Sequence, residues 1–197
     1  MKFDPEAHHR RSVRLKNYDY SQPGAYFVTI TTHQRTLLFG KITGETMSLN
    51  QYGKIVQSCW EQIPRHFMRV QPVAFIVMPN HVHGIIIILD LHAVGAQHAV
   101  PLRHGPQTRI EAFAQPVPGS LPTIIRSFKS AATKRINLLR DTPAAPVWQR
   151  NYYEHVIRSD AELNQIKEYV KSNSAKWALD HENPDNCGQL DLQPISC

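Results

Sequence analysis

The stretch MPNHVHG, residues 78–84, lies between two short apolar runs and decides the predicted fold. The runs VAFIV (73–77) and IIIIL (85–89) are too short to cross a membrane, and their β-branched residues favour strands. Pro79 and Asn80 are typical turn residues, because Pro presets φ at the first central position and Asn tolerates the second. The stretch therefore predicts a β-hairpin whose turn lies at these two residues.

Two histidines separated by one residue begin the second strand of this hairpin. Side chains alternate along a strand, so His81 and His83 point to one face of the sheet and Val82 points to the other. Two imidazoles on a rigid strand can supply half of a metal site. The chain has 11 histidines, so the pair could also be ordinary polar surface. A site is about as well supported, because polar groups beside buried strands need partners.

The composition indicates one domain with a core and few special features. The chain has 197 residues, of which 42% are hydrophobic. Because it shows neither a transmembrane-length apolar stretch nor an apolar signal segment, we expect a cytoplasmic protein without membrane contact. Its three cysteines have no CxxC spacing, which argues against a disulfide framework or a zinc knuckle. A net charge of +6 is compatible with a polyanionic partner.

Residues 1–24 are predicted to form a basic N-terminal arm. The arm carries basic residues followed by two tyrosines: Arg10, Arg11, Arg14, Tyr18 and Tyr20. This order suits binding to a nucleic-acid backbone with stacking on exposed bases. A disordered terminus explains it equally well.

The remaining elements alternate between strands and helices. Helices are expected after N-caps at Asn50, Ser120 and Asp160, ending near Ile63, Arg140 and Leu179. A strand is expected at 25–32, shorter strands at 37–42 and 46–49, and a strand or extended segment at 147–158. This order fits an α+β fold of the ferredoxin-like split βαβ type, with helices on one face of an antiparallel sheet. The other face would be free to carry the two histidines.

The domain is expected to span residues 25–179, with a flexible loop at 90–119 and a polar tail at 180–197. The loop is rich in Ala, Gly, Pro, Gln and His and shows no period. Loops of that length are usually functional or disordered. The tail is expected to lie outside the core.

The last helix carries a tyrosine and a polar residue on one face. Tyr169 and Asn173 are four residues apart, so they lie one turn above each other. From the residues alone, Tyr169 is one candidate nucleophile among several, with Tyr26, Tyr152 and Tyr153 as alternatives.

Several motifs together resemble a known family. PNHVHG at 79–84 resembles the HUH motif of single-tyrosine transposases. WQRNYYEHVIR at 148–158 and YVKSN at 169–173 are similar to later motifs of that superfamily. The segments RRSVRL (10–15) and YDYSQPGAYFVTI (18–30) make the chain most similar to the bacterial REP-associated tyrosine transposases.

The resemblance covers most of residues 10–178 and implies a metal-dependent nuclease and strand transferase for single-stranded DNA hairpins. It implies that Tyr169 is the nucleophile. It also implies that His81, His83 and Asn173 hold a divalent ion, Mg²⁺ or Mn²⁺. The sequence departs from the family pattern at Ser174, where relatives often have Pro.

The chemistry that the resemblance implies suits these residue types. A phosphotyrosine keeps the energy of the broken phosphodiester, so a 3′-hydroxyl can reverse the step without ATP. The tyrosine must lose its proton as it attacks. His155 is a candidate base, although a packing or hydrogen-bonding role suits it better.

The implied partner is a REP-like DNA hairpin, bound by a monomer or a homodimer. The candidate DNA contacts are Arg10, Arg11, Arg14, Arg126, Lys129, Lys134 and Arg150. The basic residues of the second helix also suit a simple solvated face.

Two other functions are alternatives to the transposase interpretation. One is a domesticated, non-catalytic binder of structured DNA, which would not need Tyr169 together with the metal-binding residues. The other is a small metallohydrolase with a water nucleophile, which lacks an evident third strong ligand.

Overall fold

The computed structural model describes Leu15, residues 18–90 and residues 116–186. The strands are β1 (Gly24–Thr31), β2 (Gly40–Thr43), β3 (Thr46–Leu49), β4 (Val70–Val77), β5 (His81–Ile88) and β6 (Tyr153–Ile157). The helices are α1 (Gln51–Glu61), α2 (Ile63–His66), α3 (Leu121–Leu139) and α4 (Asp160–Ser172). Short 3₁₀-helices span His33–Arg35, Ser174–Leu179 and Pro184–Asn186. The expectations for Arg10, Arg11, Arg14 and most of the loop at 90–119 lie outside the described residues.

The strands of the main sheet are arranged as the α+β prediction requires. The order is β4-β5-β1-β6, and every neighbouring pair is antiparallel. This is the strand order of a ferredoxin-like sandwich. β4 and β5 are the two strands of the predicted hairpin. β2 and β3 form a separate hairpin. Within residues 18–90 and 116–186, no helix is both long enough and apolar enough to cross a membrane.

Helices cover both faces of the sheet, so the prediction of helices on one face only was wrong. On one face, α1 and α3 pack over a core that includes Tyr26, Val28, Val82, Ile86, Trp60 and Phe128. On the other face, α4 packs over Phe27, Ile85 and Ile157 through Leu163 and Val170. The apolar stripe of α4 needs a surface to cover. The face that carries His81 and His83 is therefore the one beneath α4.

The helix boundaries follow local capping with two differences. Asn50 and Ser120 cap α1 and α3 as predicted, each accepting a backbone N–H three residues on. The cap of α4 is Ser159 rather than Asp160, which becomes the first helical residue and places its charge at the positive end of the helix. α4 ends at Ser172, and the chain continues as a 3₁₀-helix to Leu179.

The tyrosines assigned to the arm belong to the folded core. Tyr20 is 6% exposed and packs in the same cluster as Tyr26. The Tyr18 and Tyr20 rings meet edge to face, with centroids 4.8 Å apart. Neither ring is displayed for stacking on a DNA base, and the folded structure already includes residue 18.

The glycine that follows the two histidines makes a tightly packed contact. A Cβ at Gly84 would lie 2.4 Å from Trp60 Cζ2. Trp60 is almost fully buried and stacks on Phe75 at 4.4 Å, so it has little room to shift. We expect Gly84→Ala to lower the free energy of unfolding by about 1–3 kcal/mol through overpacking. Urea unfolding measures this.

Gly24→Ala is the matched control, because a Cβ there would meet only ordinary contacts of 3.5 Å or more. Equal urea midpoints for the two variants would contradict the packing argument.

Candidate active site

β5 brings the two histidines together beneath α4. The relative exposures of His81 and His83 are 0% and 4%. Their Nε2 atoms lie 3.0 Å apart. Both side chains point to the same face, as the alternation along the strand predicts.

The Nδ1 atom of each ring has a partner of its own. His81 Nδ1 lies 2.9 Å from Asn80 Oδ1, and His83 Nδ1 lies 2.8 Å from Thr29 Oγ1. Such contacts fix the orientation of metal-binding imidazoles. The two Nε2 atoms are therefore directed into the same space.

Burial keeps both imidazoles neutral. It holds the pKa of His81 well below its usual value, with a smaller contribution from His83 in the same direction. Burial also lowers the pKa of His83 to about 3. A neutral imidazole is the form that binds a cation.

The buried histidines should make the stability of the metal-free protein depend on pH. Above about pH 6.5 these histidines are neutral in both the folded and unfolded states, and their contribution to stability is fully present. At lower pH the unfolded chain takes up protons that the folded chain excludes, so stability falls until about pH 3, the folded pKa of His83. The expected slope is up to about 1.4 kcal/mol per pH unit for each histidine.

Urea unfolding in a chelator, between about pH 7.5 and 4.5, measures this slope. His83→Gln should flatten it. Substituting the exposed His33 should not. A pH-independent midpoint for the wild type would contradict the assignment.

Tyr169 projects from α4 toward the histidine pair. Its hydroxyl lies 3.4 Å from His83 Nε2, and its ring meets Phe27 edge to face at 6.0 Å. The side chain is 41% exposed, so a substrate can reach it. Burial and then the nearby Asp180 raise the pKa of Tyr169, while a hydrogen bond with Asn173 acts in the opposite direction.

The alternative tyrosines are less well placed. Tyr26 is fully buried in the core under α1 and α3, and Tyr152 packs against that same core. Tyr153 is 52% exposed and its ring lies 6.4 Å from that of Phe27. The hydroxyl of Tyr169, in contrast, lies 3.4 Å from His83 Nε2.

Asn173 and Asp180 add oxygen atoms to the site. Asn173 is 2% exposed, and its Oδ1 is buried without a hydrogen-bond partner. Asp180 Oδ2 lies 3.8 Å from His81 Nε2. The candidate ligand atoms of His81, His83 and Asp180 all lie within 4.8 Å of one another.

This donor set fits a divalent cation. Two neutral nitrogens and a carboxylate oxygen can replace part of the hydration shell of such an ion. The amide of Asn173 is adjacent, since it hydrogen-bonds with both Tyr169 and Asp180. A buried carbonyl oxygen without a partner is costly unless something binds it. The structure therefore brings together His81, His83, Tyr169 and Asn173 and adds Asp180, which was predicted to belong to the polar tail.

The first residues of the predicted tail pack over the site. Glu182 accepts a hydrogen bond from Asn80 at its carbonyl and forms an ion pair of 3.1 Å with Arg35. Asn183 is 5% exposed and donates to the carbonyl of Trp177. Through residue 186 this segment is part of the folded structure, which differs from the expected position outside the core.

His155 has a partner of its own. Its Nε2 lies 2.6 Å from Glu162 Oε1. The other oxygen of Glu162 accepts the backbone N–H of Arg158, and this bond is the main reason that the pKa of Glu162 is lowered. The contact joins β6 to the start of α4, which is the hydrogen-bonding role preferred above.

The described candidate DNA contacts line a groove of about 840 Å³ between α3 and residues 141–152. Arg126, Lys134 and Arg150 are exposed there. Lys129 differs, because its ammonium donates to the carbonyls of residues 149, 150 and 151 and burial lowers its pKa to about 8. α3 and α4 lie on opposite faces of the sheet, so Arg126 and Lys134 are not part of the Tyr169 cluster.

Comparison with known proteins shows relatives over most of the chain. An uncharacterised protein of Haemophilus influenzae is 40% identical over 182 residues, which are 91% of this chain and 96% of that protein. A second H. influenzae protein, provisionally named a REP-associated tyrosine transposase, is 26% identical over 164 residues, 82% of this chain and 77% of its own. No protein-family model matches the chain.

A solved structure shares the fold. It is that of a REP-associated tyrosine transposase bound to a REP hairpin, and it is similar with a TM-score of 0.50 and 17% identity, over 86% of this chain and 73% of that one. The chain is thus similar in sequence to one protein provisionally named a REP-associated tyrosine transposase, and it shares the fold of a solved REP-associated tyrosine transposase.

Proposed function

We propose that the protein cleaves and rejoins single-stranded DNA at REP-like hairpins through a covalent 5′-phosphotyrosine on Tyr169. The observation that carries this proposal is the 3.4 Å approach of the Tyr169 hydroxyl to His83 Nε2, beside a cluster of nitrogen and oxygen donors. A nucleophile next to a cation site is the arrangement that phosphoryl transfer needs.

In the proposed reaction, Tyr169 Oη attacks the phosphorus of the scissile phosphodiester. A new P–O bond forms, the bond to the 3′-oxygen breaks, and that oxygen leaves as a 3′-hydroxyl after taking up a proton. A second 3′-hydroxyl can attack the phosphotyrosine and regenerate the tyrosine. The raised pKa keeps Tyr169 protonated at neutral pH, so its proton must leave as the bond to phosphorus forms.

The residues that would hold a divalent cation, Mg²⁺ or Mn²⁺, are His81, His83, Asp180 and Asn173. When bound, the ion would offset the negative charge that repels a nucleophile from a phosphodiester. Phe27 holds the rings of both Tyr169 and His83, with centroids 6.0 Å and 5.4 Å from its own. This packing supports a fixed position for the nucleophile relative to the donors.

The partner proposed for this chain is a DNA hairpin. The related solved structure holds a REP hairpin, and the net charge of +6 favours a polyanion. We propose Arg126, Lys134 and Arg150 as DNA contacts, together with Arg10, Arg11 and Arg14. The acting species would be a monomer or a homodimer.

Removing two of the groove cations should weaken DNA binding without regard to sequence. For Arg126→Ala combined with Lys134→Ala, we expect lower hairpin affinity and a salt dependence shallower by about one unit for each lost phosphate contact. Fluorescence anisotropy at several salt concentrations measures both. Lys54→Ala is the control, because it also removes one exposed positive charge, but from α1 and outside the groove. It matches the charge lost in either single substitution. Unchanged affinity in the double variant would assign these residues to a solvated face.

Two other functions make different demands on the site. A non-catalytic DNA binder would not require the Tyr169 hydroxyl to lie beside His83. A metallohydrolase with a water nucleophile gains its missing carboxylate in Asp180, yet it gives the Tyr169 hydroxyl beside His83 no role. The position of Tyr169 favours the transposase proposal over both.

A covalent-trapping gel tests the proposed function. The full chain is mixed with single-stranded hairpin DNA from the flanks of its coding region, with Mn²⁺ or with a chelator. We expect a denaturant-resistant protein–DNA band only with metal, and none for His81→Ala. Tight hairpin binding without any such band would support the binder, whereas cleavage without the band would support a water nucleophile.

A further inference from the structure

The outer partners of the two histidines differ in one chemical respect. Asn80 offers an amide, whose oxygen only accepts hydrogen bonds and whose nitrogen only donates them. Thr29 offers a hydroxyl, which can do either. The two rings are therefore not held in equivalent ways.

Asn80 has no freedom to turn its amide around. It is 0% exposed, and its Nδ2 donates to the carbonyls of Glu182 and Arg35 at 2.6 Å and 3.3 Å. Reversing the amide would point its oxygen at two carbonyl oxygens. Oδ1 must therefore face His81 Nδ1, which lies 2.9 Å away and must carry the proton. The lone pair of His81 is then on Nε2, facing the site.

When no cation is bound, His83 must carry its proton on the other ring nitrogen, Nε2. Its Nε2 lies 3.0 Å from His81 Nε2, which has a lone pair and no proton. Two lone pairs at that distance repel, so His83 carries its proton on Nε2 and donates it to His81. The Thr29 hydroxyl then donates to His83 Nδ1 across 2.8 Å.

We propose that Asn80 is a positioning residue that locks the tautomer of His81, and that Thr29 lets His83 exchange tautomers when a cation binds. For His83 to offer its own lone pair, a proton must leave Nε2 and one must be taken up at Nδ1. Thr29 accommodates this by rotating its hydroxyl from donor to acceptor. No net proton is released from the imidazole. His81 is thus the preset ligand, and His83 is the ligand whose proton moves.

This inference rests on the proposed function only in taking the histidine pair as ligands of a cation. It requires neither DNA nor cleavage. A protein that binds the cation without cutting DNA could still support it, and an active nuclease could still overturn it.

Nitrogen NMR of histidine-labelled full-length protein tests the proposal, with Zn²⁺ as a diamagnetic probe. In the metal-free protein we expect His81 to be protonated on Nδ1 and His83 on Nε2. With Zn²⁺, His83 should show its proton on Nδ1, whereas the His81 tautomer should not change. A proton on Nε2 of His81 would overturn the proposal. So would the same tautomer for both rings in the metal-free protein, and both results come from the wild type alone.

Variants separate the two positioning roles. Asn80→Ala should leave His81 as a mixture of tautomers and weaken Zn²⁺ binding, measured by calorimetry, by about 10-fold to 100-fold. Thr29→Val should leave His81 unchanged but remove the acceptor that His83 needs, with a loss of about 10-fold or more. Thr29→Ser retains the hydroxyl. It should therefore show the wild-type tautomer exchange of His83 and the wild-type Zn²⁺ affinity. Equal affinity for Thr29→Val and Thr29→Ser would overturn the role of the hydroxyl.

Discussion

Replacing Tyr169 with Phe should abolish the covalent protein–DNA adduct and lower the cleavage rate by about 10⁴-fold or more, as the loss of a nucleophile generally does. The hydroxyl oxygen is the only non-hydrogen atom removed, and the ring keeps its edge-to-face contact with Phe27. The structure should therefore be unchanged, and hairpin binding should be retained. The measurement is single-turnover cleavage of a labelled hairpin with Mn²⁺, beside a denaturing gel for the adduct.

Tyr153→Phe is the matched control for this substitution. Tyr153 lies on β6, is more exposed than Tyr169, and also packs against Phe27. We expect this variant to form the adduct at the wild-type rate. If Tyr169→Phe still formed the adduct and Tyr153→Phe did not, the nucleophile would be Tyr153 and the mechanism proposed for α4 would be wrong.

Replacing His83 with Ala should weaken Mn²⁺ binding by more than about 100-fold, which exceeds the effect typical of an outer-shell residue. The change removes one of two nitrogens that lie 3.0 Å apart and leaves His81 Nε2 without that polar partner. Cleavage should be lost together with cation binding, because no other described residue replaces Nε2 at that position. Calorimetric titration of the DNA-free protein with Mn²⁺ measures the affinity directly.

The His83→Ala variant could bind Mn²⁺ weakly because it is less stable or because a metal ligand is missing, and these two causes must be separated. Val82→Ala is suited to this, since Val82 neighbours His83 on β5 but points into the opposite core. It should lower the free energy of unfolding while leaving Mn²⁺ affinity unchanged. If Val82→Ala weakened Mn²⁺ binding as much as His83→Ala did, the histidine would not be identified as a ligand.

Much of the fold could be predicted because it depends on local patterns. The apolar runs on either side of PNHVHG, the turn residues between them and the N-caps at Asn50 and Ser120 all act within a few residues. The α+β topology follows from the order of these elements together with the resemblance. The α4 boundary was less predictable, because Ser159 and Asp160 are both good caps and the choice depends on how the chain leaves β6.

The predicted site residues lie close together in the structure because regular secondary structure orients their side chains. Alternation along β5 orients His81 and His83, and one helical turn aligns Tyr169 with Asn173. Asp180 carried no comparable signal. It is the first residue of the predicted polar tail, and nothing in the polar residues after it distinguishes a buried aspartate from a solvated one.

By itself, the sequence determined the strands, the helices, the two-histidine face and the spacing of the tyrosine and asparagine, because each depends on a short period or a nearby cap. Only the tertiary structure decided that α4 covers the histidine face and that Asp180 joins the site. The bond between Asn80 and Glu182 spans 102 residues, and Thr29 meets His83 only because β1 pairs with β5. Contacts of this kind depend on how apolar faces pack in three dimensions, which no local pattern specifies.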